Sequence, residues 1–115
     1  MKRIEPGEVV EAYRKTGLKP IAGSFTLIAK EDGVQCGCAM AAVAMASGAT
    51  FGVCQAADNE NDCELAFADL CGLSRDYTVA FVSGFDALNI HKHEPGYADG
   101  IAARKAVIEQ LGVEL

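Results

Sequence analysis

Residues 36–48 constrain what this chain can fold into more than any other stretch. They begin with Cys36, Gly37 and Cys38, continue in alanine, valine and methionine, and close on Ser47 and Gly48. None is charged. A segment this uniformly apolar has no face to give to water, so 36–47 reads as a helix buried on most sides. Its short side chains let neighbours approach closely, and the rest of the chain must supply the bulk around it.

The flanking elements follow from local signals. Pro6 suits a first helical turn, and early acids with late bases suit the dipole of a helix over 6–16. Gly17 offers a left-handed cap with Leu18 beyond it, and Pro20 prevents continuation. Apolar side chains then alternate from Ile21 to Ala29, and Asp32 with Gly33 is a tight-turn pair. Residues 21–35 are therefore expected to form a β-hairpin that feeds the alanine-rich helix. Residues 49–57 fit either a strand or a helix. A helix over 62–71 is closed by Gly72, and Ser74 caps another over 74–88.

In that helix Tyr77, Phe81, Phe85 and Leu88 recur at helical spacing, a ridge that needs a shallow partner. The alanine-rich helix is the partner expected. The last helix, 97–111, should bury Ile101, Ile108 and Leu111 and end at Gly112. These elements make one mostly helical α+β domain over residues 1–115.

Charge narrows the function. The net charge of −6 argues against general nucleic-acid binding, which needs clustered Lys and Arg. It is unevenly spread: residues 1–30 carry six basic and three acidic side chains, the remainder four and thirteen. The basic start can orient against its own body or against a second copy. The start of the chain shows no secretory signal, and five cysteines, an odd number, fit reduced thiols in a cytosol. The uncharged run 36–54 is long enough to raise a membrane helix, but alanine and glycine dominate it and gain little from lipid, so none is expected.

Three groups of residues could carry chemistry. Cys36 and Cys38 lie where strand turns to helix, where N–H groups and the dipole favour a thiolate, and two sulfurs could also serve zinc. They equally suit small buried packing positions, the reading preferred here. His91, His93 and Glu94 share one loop; if it is extended, both imidazoles point the same way and could take one divalent ion or move a proton. Tyr77, Phe81 and Phe85 could wall a small-molecule pocket against the alanine-rich helix, or fill that space themselves. Asp58, Glu60 and Asp62 imitate the start of a calcium loop, but Cys63 stands where glycine is needed, so a solvated acidic helix start is expected. No phosphate-cradling loop, nucleophile elbow or zinc-protease helix is present.

Gly17 to Pro20, the Asp32–Gly33 turn, the Cys36 to Ala44 run, and Gly72 to Tyr77 with Ser83 to Asp86 together resemble a loose group of small bacterial proteins carried in genomes and mobile gene cassettes. The resemblance implies a bacterial cytosolic protein and brings no activity, substrate or site residue with it. Two functions from different classes remain. One is a non-catalytic domain acting through self-association or partner binding. The other is a thiol- or metal-dependent enzyme or sensor using Cys36 or Cys38 with His91 or His93.

Overall fold

The computed structural model describes residues 2–115. Six helices, the alanine-rich one among them, and a small three-stranded sheet make the mostly helical α+β arrangement expected. The helices are α1 (Pro6–Thr16), α2 (Ala39–Ala46), α3 (Phe51–Asp58), α4 (Cys63–Cys71), α5 (Arg75–Phe85) and α6 (Pro95–Leu111). The strands are β1 (Lys19–Pro20), β2 (Thr26–Ile28) and β3 (Gln35–Gly37). In α2 every residue from Ala39 to Ala44 is buried, and α1, α3, α4 and α5 all pack on it. Gly17, Gly72 and Gly112 end their helices in the left-handed conformation, as the sequence suggested.

The hairpin is shorter than the expected 21–35, and the sheet has a strand the sequence did not announce. β3 lies in the middle, antiparallel to β2 and parallel to β1, with Cys36 opposite both Leu27 and Lys19. Residues 22–24 bend away because Gly23 takes a φ of 86° and gives its N–H to the Asp86 carboxylate. The sheet also decides where α2 begins. Cys36 and Gly37 have strand partners on both sides, and Cys38 still donates its N–H to the Phe25 carbonyl. The helix starts only at Ala39, with Cys38 as its cap, rather than at Cys36. Residues 49–57 resolve as α3, whose start is fixed by the Thr50 hydroxyl accepting from the Val53 N–H.

The aromatic ridge of α5 shares the core with α2, and the backbone of α5 meets a second shallow partner, α6. Gly96 of α6 lies against Tyr77 and Phe81, and Gly100 against Phe81 and Phe85, so α5 and α6 run in the same direction. A Cβ on Gly96, Gly100 or Gly84 would fall on a carbonyl oxygen of the facing helix, those of Tyr77, Phe81 and Tyr97 respectively. The two backbones touch because those side chains are absent. The rings of Phe81 and Phe85 can then turn into the core, both at most 1 % exposed.

This contact rotates α6 away from the expected orientation. Its buried residues are Gly96, Asp99, Gly100, Ala103 and Val107, while Ile101 and Ile108 are 40 % and 37 % exposed. Close backbone approach selects the glycines and alanine for the inside along the first turns, and Ile101 and Ile108 turn outward. α5 ends at Phe85 instead of 88, because Ala87 adopts a φ of 56° and leaves Leu88 exposed. Pro95 starts α6 two residues earlier than expected.

Candidate functional site

The three groups singled out from the sequence lie on separate parts of the fold. Cys36 is buried in β3, and Cys38 is buried at the cap of α2. Burial pushes the Cys38 thiol up to about 12, against the weaker opposing pull of the Ala41 and Met40 N–H groups. The helix start therefore fails to make a thiolate: desolvation outweighs the dipole. Cys71 is likewise pushed up to about 12 by burial, and its Sγ donates to the Met40 carbonyl at 3.5 Å. Burial also raises Cys54 and Cys63. All five cysteines are free.

Cys38 does line a cavity of about 40 Å³ with Gly23, Ser24, Phe25, Val82 and Asp86. That space suits a water molecule rather than an organic substrate. The facing Asp86 carboxyl is itself raised by burial. A thiol that burial keeps protonated gives no ready nucleophile.

Thiol reactivity tests this arrangement. In native protein at neutral pH, only the half-buried Cys63 should react with a disulfide reagent within minutes; the others should follow on unfolding. A fast native reaction mapped to Cys38 would contradict it.

His91 and His93 occupy an exposed turn, not an extended segment. His91 has a φ of 59°, and its Nδ1 lies 3.0 Å from Glu94 Oε2. The turn undoes the period-two geometry on which a shared ion depends, and Glu94 serves as the cap position of α6. Among the described residues no three His, Cys, Asp or Glu side chains converge on a point suited to a metal. The cysteines of β3 and α2 and the histidines of the α5–α6 loop form no such group. Asp58 accepts from the Thr26 hydroxyl and Asp62 from the Leu65 N–H, so both have structural partners.

Tyr77, Phe81 and Phe85 are buried and packed in file, with ring centroids 6.1 and 6.5 Å apart. Their rings fill the space proposed as a pocket. Tyr77 also borders a surface cavity of about 330 Å³ with Ser74, Asp76, Glu94, Pro95 and Gly96. The acids there face the positive starts of two parallel helices, which accounts for their placement.

Two features were not singled out in the sequence. The first is the outward face of α6, where Ile101 and Ile108 lie one above the other and border a shallow groove of about 270 Å³ with Arg104, Lys105 and Glu109. Arg104 is engaged, donating to the carbonyls of Phe85 and Leu115. Lys105 and Glu109 make no ion pair among the described residues. A signal was present: Gly96, Gly100, Ala103 and Val107 follow helical spacing as well as Ile101 and Ile108 do.

The second is a polar cluster built on the buried Asp99 and Tyr77. Arg3 donates through Nε and a terminal nitrogen to Asp99 at 3.0 and 2.6 Å, Tyr77 donates its hydroxyl to Asp99 at 2.6 Å, and Ile4 donates its N–H to Tyr77 at 2.9 Å. The Arg3 guanidinium holds Asp99 below the usual carboxylate range, and burial followed by Asp99 pushes Tyr77 up to about 12. An acid set among glycine and alanine on one helix face was the sequence signal for it.

No family model, curated protein or solved structure matches this chain. No helix among the described residues is long and apolar enough to cross a membrane.

Proposed function

We propose that the chain is a small non-catalytic binding domain that acts by pairing with a second copy through the outward face of α6. One observation carries the reading: α6 turns its small residues inward and its branched apolar ones, Ile101 and Ile108, out to solvent. A helix apolar on both sides gains by having its outer side covered.

Charge supports a second copy as the cover. An antiparallel pair of α6 helices, its two-fold axis crossing the outward face at the height of residue 107, sets Lys105 of each copy opposite Glu109 of the other and brings the two Ile108 side chains together, with Ile101 at the edge of the contact. Both groups lack an ion-pair partner among the described residues. One helix pair buries less than a standard interface, so the dimer is a weak and exchanging one. The buried, protonated thiols support this reading over thiol catalysis. An odd number of free cysteines supports a reducing compartment, the cytosol, as the place of action.

Sedimentation equilibrium tests the proposal. The wild-type mass should rise toward twice the protomer between micromolar and near-millimolar concentration. Ile108→Glu should stay monomeric over that range with its thermal midpoint nearly unchanged, since the position is exposed. A wild-type chain that is monomeric throughout ends the proposal.

A further inference from the structure

The chain's basic start is strapped across the ends of three helices. Lys2 donates to the Cys71 carbonyl at the end of α4, Arg3 grips Asp99 of α6 with two hydrogen bonds, and the Ile4 N–H donates to Tyr77 of α5. The Ile4 side chain is 1 % exposed. Each contact is of a kind used to recognise a short basic segment: an ammonium on the negative end of a helix, a forked guanidinium on a carboxylate, and an aliphatic anchor.

The receptor side is built more firmly than the strap. The Asp99 side chain is 11 % exposed and held by the Tyr77 hydroxyl, whereas the Arg3 side chain is 60 % exposed. The guanidinium is thus laid on the seat from solvent. Beside the seat, sharing Tyr77, lies the 330 Å³ cavity with the carboxylates of Asp76 and Glu94, which would accept further basic groups.

We infer that Asp99 and Tyr77 form a guanidinium-binding seat, filled in the resting chain by its own Arg3 and open to an arginine-bearing segment of another protein when the strap lifts. A tethered occupant competes at high effective concentration, so the resting chain binds such a segment weakly. Lysine cannot replace arginine there, because a point charge does not reproduce the fork.

Chemical rescue in the full chain tests the inference. Arg3→Ala should lower the thermal midpoint by about 5 °C. Millimolar methylguanidinium should return at least half of that loss, and methylammonium at equal ionic strength should return none. An acetylated Lys-Arg-Ile amide should act at lower concentration than methylguanidinium on Arg3→Ala and have little effect on wild type. Arg3→Ala/Asp99→Asn should respond to neither. If Arg3→Ala does not fold, Arg3→Lys takes its place with the same expectations. No rescue of the single variant, or equal rescue of the double variant, overturns the inference.

Discussion

Gly100→Ala is expected to destabilise the protein by about 3 kcal/mol or more, although alanine is the better helix former. The added methyl would fall on the Phe81 carbonyl oxygen and crowd the Phe85 N–H, which lies 2.8 Å from the Cβ position. A flexible side chain could move aside, but a helical carbonyl cannot without breaking its own hydrogen bond. The helices must separate, and Phe81 and Phe85 lose part of their packing with them.

Gly7→Ala is the matched control. Gly7 is also helical, in α1, and a Cβ there meets nothing within 4 Å. The same substitution should stabilise by about 0.5–1 kcal/mol at that site. Denaturant titration of both variants reads the difference. If Gly100→Ala lies within about 1 kcal/mol of wild type, α5 and α6 do not meet as described.

The second large effect is at Phe67. Its side chain is fully buried, and its ring stacks on Phe25 with centroids 4.3 Å apart and planes 8° from parallel. That stack ties α4 to the residue just before β2, and so fixes the sheet to the helices. Phe67→Ala should cost about 4 kcal/mol, the loss of a buried ring plus the cavity left behind. It should also raise hydrogen exchange in β2 and β3 above that of α5 and α6, because the hairpin loses its anchor. Uniform loosening of the whole chain would show that the stack has no local role.

What was readable in the sequence followed from local chemistry. The run 36–48 announced a buried helix because no arrangement gives it a wet face. Gly17, Gly72 and Gly112 marked helix ends because each is followed by an apolar residue and preceded by helical spacing. What was not readable depended on distant partners. The parallel pairing of β1 with β3 joins two residues to a strand far along the chain, and nothing in Lys19 or Pro20 asks for it. That pairing kept Cys36 in a strand and delayed α2.

On α6 two faces competed, one bearing Ile101 and Ile108, the other Gly96, Gly100 and Ala103. Hydrophobicity favours burying the first and backbone approach the second, and only the position of α5 decides between them. Arg3 and Asp99 are 96 residues apart in sequence, so their pairing left only the charge asymmetry and the lone acid among glycine and alanine as traces. The histidine loop failed for the opposite reason. Its local geometry is a turn, set by the left-handed His91, where an extended segment was expected.

A charge swap on α6 probes the pairing of two copies through that helix. Lys105→Glu and Glu109→Lys each set like charges opposite one another across the two-fold axis, and each should weaken dimerisation several-fold in sedimentation equilibrium. Carrying both changes in one chain restores opposite charges, and the dimer should return to near wild-type strength. A double variant no better paired than either single one, or singles that pair as well as wild type, would mean that two copies do not meet through α6 in this register.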